Sequence, residues 1–259
     1  MKRAFPESGA AAVAQRWSEI EDFPNRRARG MDAGMIDSAA TIHVQGEERR
    51  PLIAIDDFWS DPQGLREDAA SLKMGMIGPH YPGVRAPVPP RLAETMRRRI
   101  APLLAEHFGL DPAPAVSEAY YSLVTTAPAE LAPIQRLPHF DGVEPRRIAM
   151  LLFLGHGEQG GTAFYRQRVT GYESVDATRL DRFKAHLDRE VQTHGLPDAA
   201  YIAGDTALYE RIAVQPARFN RALIYAGNTL HCADLPPQVT LSADPLVGRL
   251  TLNLFLSDD

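Results

Sequence analysis

Cysteine is almost absent from this chain of 259 residues, which contains Cys232 alone. A disulfide within the chain and a cysteine-rich zinc site are therefore both excluded. A single cysteine is compatible with a reducing compartment, so we expect the protein to be cytoplasmic.

Long apolar runs and an excess of basic charge are also missing. The apolar stretch at residues 10–14 is followed at once by Gln15 and Arg16, so we expect neither a signal peptide nor a membrane-spanning segment. The formal net charge is -5, and the densest basic run, residues 97–99, lies in an amphipathic helical pattern. This pattern favours a solvated helix face, so we expect no nucleic-acid partner and no membrane partner.

What remains is the composition of an ordinary globular protein, with 44% hydrophobic and 24% charged residues. In its first half, a short strand over residues 52–58 precedes a helix from Pro62 to about Met74. A loop rich in glycine and proline follows over residues 75–90, and a second helix is predicted over residues 91–108.

The second half is dominated by strand patterns. Strands are predicted over residues 120–125, 148–154, 162–165, 221–225 and 249–256, and a helical insertion over residues 176–213. Helices followed by strands indicate an α+β fold in which a sandwich or barrel carries the site. We therefore expect a helical or partly ordered lead-in over residues 1–46 and a single domain over residues 47–259.

The strongest functional signal is the pair His139 and Asp141, followed much later by His231. On an extended backbone, His139 and Asp141 point to the same face, and Phe140 points away. His231 follows a strand end and a turn, where site residues commonly lie. Two histidines and one carboxylate form the facial ligand set of Fe(II) oxygenases, which leaves positions open for co-substrate and oxygen.

Each part of this signal has a plainer interpretation. A His-x-Asp pair occurs by chance in many proteins. In the last strand, Arg249, Thr251, Asn253 and Phe255 share one face, which is either exposed to water or turned inward. In the second case Arg249 could bind a dicarboxylate, with a hydroxyl contact from Thr251. Considered alone, this strand favours the exposed interpretation.

The order of motifs resembles the 2-oxoglutarate- and Fe(II)-dependent dioxygenases, particularly the prolyl-4-hydroxylase-like branch. The shared order is a strand, His-x-Asp, an apolar strand, a Gly-Gly turn leading to phenylalanine, a distal histidine and a basic residue. In this chain these features lie, in the same order, at residues 120–125, 139 and 141, 148–154, 160–164, 231 and 249. The resemblance covers roughly residues 50–257, and residues 81–85 are similar to an uncharacterised bacterial group of that superfamily. Two departures are the arginine at position 249, where prolyl hydroxylases usually have lysine, and the long stretch before His231.

This resemblance implies a double-stranded β-helix, a cupin-like jelly-roll barrel with N-terminal helices packed on it and a helical insertion. It implies that the metal-binding and catalytic residues are His139, Asp141 and His231. Arg249 would pair with the C5 carboxylate of 2-oxoglutarate, Thr251 would assist, and Tyr121 (or its neighbour Ser122) would line the co-substrate site.

The implied activity is hydroxylation of a small-molecule or peptidyl substrate with release of succinate and CO2. The implied cofactors are Fe(II) and 2-oxoglutarate, with ascorbate as a further candidate. The alternatives are a cupin-like metal enzyme that does not use 2-oxoglutarate and a non-catalytic binding module. A halogenase is a weaker alternative, because those enzymes typically replace the carboxylate ligand, which Asp141 preserves here.

Overall fold

The computed structural model of the protein describes residues 40–258. The first elements are β1 (Ala40–Gln45), β2 (Arg50–Ile55), α1 (Pro62–Ser71), β3 (Gly83–Pro87) and α2 (Pro90–Phe108). Helix α1 begins where predicted, because the Asp61 side chain accepts the Gly64 N–H at 2.9 Å and Pro62 opens the helix. Helix α2 ends at Gly109, whose φ of 67° is left-handed and favours glycine.

The remaining elements are mostly strands. They are β4 (Val116–Val124), β5 (Ile148–Phe153), β6 (Gly161–Gln167), α3 (Leu180–His194), β7 (Tyr209–Pro216), β8 (Ala222–Ala226), β9 (His231–Asp234) and β10 (Leu250–Leu256). Within residues 40–258, no helix has both the length and the apolar character needed to cross a membrane.

Two antiparallel sheets form the body of the fold. The large sheet has the order β1-β2-β8-β5-β10-β4-β3, and the small sheet has the order β7-β6-β9. The segment around His139 adds a bridge to β9. From β4 onward the chain therefore passes between the sheets in the order of a double-stranded β-helix, with the consecutive strands β6 and β7 both in the small sheet. Aromatic contacts such as Phe164 with Tyr225 join the inner faces of the two sheets. The predicted α+β fold with this barrel is confirmed.

Strand β10 has an apolar face on the outside of the large sheet and a polar face between the two sheets. Its leucines at even positions pack with Met96 and Ile100 of α2 in the main apolar cluster on the outer face. The alternate positions point between the sheets, where Thr251 and Asn253 are buried. The polar face of this strand is thus turned inward, against the exposed interpretation.

The apolar face of β10 gives a prediction about stability. Leu252 is 0% exposed in the cluster that joins the large sheet to α2. Leu252→Ala should lower the free energy of unfolding by about 3 kcal/mol in urea titrations, because it leaves a cavity in a packed core. The exposed Leu196→Ala variant should change it by less than about 0.5 kcal/mol. Because Leu252 faces away from the barrel interior, Fe(II) affinity should not change.

The helical insertion predicted over residues 176–213 is wrong in its second half. Only α3 is helical, and Gly195 ends it with a φ of 77°. Residues 209–213 belong to β7, which pairs with β6. The spacing of Tyr201, Leu208 and Ile212 matches that of one helix face, but these side chains pack in three separate hydrophobic clusters.

The lead-in predicted over residues 1–46 lies mostly outside the described residues. Its residues 40–45 form β1, which pairs along its whole length with β2 at the edge of the large sheet. Helix α3 packs against the small sheet through Phe183.

Candidate metal centre

Main-chain hydrogen bonds bring the three predicted ligands together. The His139 N–H donates to the His231 carbonyl at 2.8 Å, and the His231 N–H donates to the His139 carbonyl at the same distance. Two residues further on, the Asp141 N–H donates to the Gly227 carbonyl at 2.7 Å. The His-x-Asp segment is therefore extended beside β9, as the two-residue spacing predicted.

The side chains of this group converge on one point. His139 Nε2 lies 3.8 Å from Asp141 Oδ1, and His231 Nε2 lies 3.8 Å from Asp141 Oδ2. The three potential ligand atoms all lie within 4.8 Å of one another. A single ion can therefore be held by all three.

Two features show that the residues fit a metal ion. Asp141 Oδ2 is buried and has no hydrogen-bond partner among the described residues. A bound cation would supply the partner that a buried carboxylate oxygen needs. His231 Nδ1 lies 2.9 Å from the Thr229 carbonyl, so this nitrogen carries the proton. Its Nε2 is left with the lone pair that a metal needs, an arrangement common to metal-binding histidines.

The electrostatics of the group also favour a cation. The pKa of His139 lies well below its usual value, because desolvation in the site, the neighbouring His231 and Arg85 each disfavour its protonated form, so the ring is neutral and able to bind a metal. Burial raises the pKa of Asp141, and His231, Arg147 and Arg85 oppose that effect only in part. A divalent ion would stabilise the ionised carboxylate directly.

The candidate metal centre opens into a cavity of about 510 Å³ between the two sheets. This volume is typical of small-molecule sites. Its walls include Arg249 and Thr251 at β10, Tyr225 on β8, and Phe183 and Leu187 on α3. Helix α3 therefore both covers the small sheet and forms part of the cavity wall.

Arg249 is 3% exposed and lines this cavity, as its predicted role requires. Its Nε donates to the Gln159 carbonyl at 2.9 Å and its Nη2 to the Gly161 carbonyl at 2.8 Å. The Gly160-Gly161 turn has a separate cause, because a side chain on either glycine would collide with the main-chain oxygen of Asp234 or Gln215. Nη1 makes no hydrogen bond within residues 40–258, so it is available to a ligand.

The two other predicted co-substrate residues have different locations. Thr251 lines the cavity, as expected. Tyr121 does not, and its prediction is corrected: it pairs with Leu252 and is fully buried in the apolar cluster against α2. Its neighbour Ser122 pairs with Thr251 and takes the inward face. A one-residue error in strand register exchanges the two faces.

Sequence reasoning missed several polar residues of the cavity. Arg85 on β3 ends the segment 81–85 noted in the sequence, and Glu118 on β4 lies just before the strand predicted over residues 120–125, but neither residue was assigned to the site. Arg147 lies 3.8 Å from Glu118. The Tyr225 ring packs edge-on against His231, with centroids 4.8 Å apart, and its hydroxyl is buried without a partner among the described residues. Their local sequence does not indicate that they line the cavity, because strand pairing brings each of them there.

Comparison with known families places the chain in a family without an assigned function. The model of DUF6445, a family of unknown function, matches residues 37–256, and the chain belongs to that family. No curated protein matches the chain.

Several solved structures resemble the fold. HygX from Streptomyces hygroscopicus, with nickel and 2-oxoglutarate bound, has a TM-score of 0.47 and 12% identity over 82% of each chain. The alpha-ketoglutarate-dependent epimerase SnoN from nogalamycin biosynthesis has a TM-score of 0.46 and 17% identity, covering 82% of this chain and 79% of its own. An N-substituted L-amino acid dioxygenase from Burkholderia ambifaria AMMD has a TM-score of 0.41 and 15% identity, covering 81% of this chain and 82% of its own.

Proposed function

We propose that this protein is an Fe(II)- and 2-oxoglutarate-dependent dioxygenase of the prolyl-4-hydroxylase-like branch, which hydroxylates a small-molecule or peptidyl substrate. The observation that carries this proposal is the convergence of His139, Asp141 and His231 around a buried carboxylate oxygen that has no partner among the described residues. The adjoining cavity also contains an arginine suited to a dicarboxylate.

Each residue has a defined task in this proposal. His139, His231 and Asp141 hold the metal on one face, and the Thr229 carbonyl keeps His231 in the tautomer that binds it. When bound, Fe(II) and 2-oxoglutarate supply the oxidising chemistry, with release of succinate and CO2. The barrel contributes ligand geometry and the adjoining cavity.

Arg249 binds the end of 2-oxoglutarate that lies away from the metal. Two carbonyl groups fix the orientation of its guanidinium, which leaves Nη1 to pair with the C5 carboxylate of 2-oxoglutarate. Thr251 lies two residues further on the same inward face and contributes a hydroxyl. Aromatic rings around His231, those of Phe164 and Tyr225, limit the access of water.

A direct test is an anaerobic titration of the metal-free protein with Fe(II) and then with 2-oxoglutarate. We expect the visible charge-transfer band of metal-chelated 2-oxoglutarate in the wild type. The band should be lost in His231→Ala, because one of three ligands is removed. His43→Ala is the matched control, since His43 lies on β1 and not in the cavity wall, and it should keep the band.

The other outcomes separate the alternatives. Iron binding without the band would contradict the co-substrate and favour a metal enzyme that does not use 2-oxoglutarate. Absence of iron binding in a folded wild-type protein would favour a non-catalytic binding module.

A further inference from the structure

Arg85 is a cation of the cavity wall that has no anionic partner in the described part of the chain. It lies on β3 and lines the same cavity as the metal centre. Its Nε is buried and forms no hydrogen bond with any described residue, and no carboxylate of residues 40–258 approaches its guanidinium within 4.0 Å. A partly buried arginine normally has such a partner, because removing an unpaired charge from water is costly.

The protein holds this side chain firmly. The guanidinium carbon of Arg85 lies 3.9 Å from the ring centroid of Tyr81 and 5.1 Å from that of Tyr120. The main chain of Arg85 exchanges hydrogen bonds of 2.7 and 2.9 Å with Gly75, on the side of β3 away from β4. Cation–π contacts contribute about 0.5–2 kcal/mol but satisfy none of the N–H donors. The guanidinium is thus positioned and still lacks an acceptor.

The two other arginines of the cavity are engaged elsewhere. Arg147 lies 3.8 Å from both Glu118 and Glu144. Arg249 donates to two carbonyl groups, and its remaining nitrogen is the one that we assign to 2-oxoglutarate. Arg85 is therefore the cavity arginine that remains for another ligand.

Strand register places Arg85 apart from the co-substrate residues. Arg85 pairs with Ser122 on β4, and Ser122 pairs with Thr251 on β10. Two interstrand spacings of about 4.8 Å separate the main chains of Arg85 and Thr251 by about 10 Å. At the same time, Arg85 lines the same cavity as His139 and Asp141. Arg85 therefore shares the cavity with the metal ligands, but its main chain is two strands away from Thr251.

We propose that Arg85 binds a carboxylate of the primary substrate, so that the substrate is a small carboxylic acid held with its reactive carbon near the metal. This inference rests on the proposed function. The planar fork of a guanidinium matches a carboxylate. Glu118 and Asp141 line the same cavity and disfavour a dianion such as phosphate, and the apolar side chains of Phe183 and Leu187 suit a hydrocarbon portion.

The test follows the arginine Nε–H signals by NMR. The full-length protein is labelled with 15N-arginine and loaded with diamagnetic Zn(II) and saturating 2-oxoglutarate, and propionate is then titrated against its neutral counterpart propionamide. We expect propionate, and not propionamide, to shift the Arg85 signal saturably. That signal is assigned as the one missing in Arg85→Lys, and the signal of exposed Arg91 should stay in place.

A second measurement tests the same point without the Arg85 signal. Propionate binding is followed by saturation transfer in Arg85→Gln and in the surface variant Arg91→Gln. We expect binding to weaken at least tenfold in Arg85→Gln and to remain at the wild-type level in Arg91→Gln.

The remaining outcomes overturn one proposal or the other. If propionate leaves the Arg85 signal unshifted, or if 2-oxoglutarate alone shifts it and propionate has no further effect, Arg85 is not a substrate residue. If the Arg249 signal does not respond to 2-oxoglutarate, the proposed function fails, whatever propionate does. The two failures are therefore distinguishable within one set of spectra.

Discussion

Asp141→Ala should reduce succinate formation from 2-oxoglutarate to background, a loss of at least about 100-fold. Changes to residues that merely support a metal ligand cost about 10–100-fold, and Asp141 is the only carboxylate in the ligand group. The measurement is succinate release at saturating Fe(II), together with the Fe(II) dissociation constant.

The same variant should not lose stability in the metal-free state. Asp141 Oδ2 is buried without a partner among residues 40–258, and such a group costs about 1–3 kcal/mol. Its removal should leave the free energy of unfolding unchanged or raise it by about 1 kcal/mol. The exposed Asp188→Ala variant on α3 is the control for both measurements. Wild-type turnover by folded Asp141→Ala protein would contradict the metal site.

Arg249→Ala should raise the 2-oxoglutarate concentration for half-maximal turnover by about 100-fold. A hydrogen bond to a charged group contributes about 1.5–3 kcal/mol, and each 1.4 kcal/mol corresponds to a factor of ten. The Fe(II) dissociation constant should change by less than about threefold, because the three ligands are unaffected. Arg249→Lys should fall between the two proteins, since it keeps the charge but loses the planar fork.

Arg221→Ala is the matched control for this prediction. Arg221 is also buried, and its two contacts with Asp56, at 2.6 and 2.8 Å, lie away from the cavity. It should lower stability but leave the 2-oxoglutarate requirement unchanged. An equal rise in the Fe(II) and 2-oxoglutarate requirements of Arg249→Ala would argue against Arg249 as the carboxylate partner.

Local spacing explains which parts of the site could be read from the sequence. His139 and Asp141 are two residues apart on extended backbone, so their common face follows from strand geometry alone. The alternation along β10 was equally visible, but it could not decide which face meets water. That depends on the large sheet being covered by α2 on one side and by the small sheet on the other.

Residues brought in by pairing could not be read in this way. Placing Tyr121 required the register between β4 and β10, and a shift of one residue moves the side chain from the cavity to the apolar cluster. Arg85 ends the segment 81–85 noted in the sequence, but it is more than 50 residues from the nearest predicted ligand, and only the pairing of β3 with β4 reveals its place in the cavity. The helical pattern beyond Gly195 failed for a related reason, because pairing with β6 outweighed local spacing in β7.

The reciprocal main-chain bonds between His139 and His231 have a thermodynamic consequence. Because the backbone already positions these ligands, the conformational entropy of assembling the site is lost when the chain folds, and not when the ion arrives. Metal loading is then an equilibrium of the folded protein, and by mass action an ion present at 100 times its dissociation constant adds about 2.7 kcal/mol to stability. The melting temperature should therefore rise with the concentration of free metal in solution.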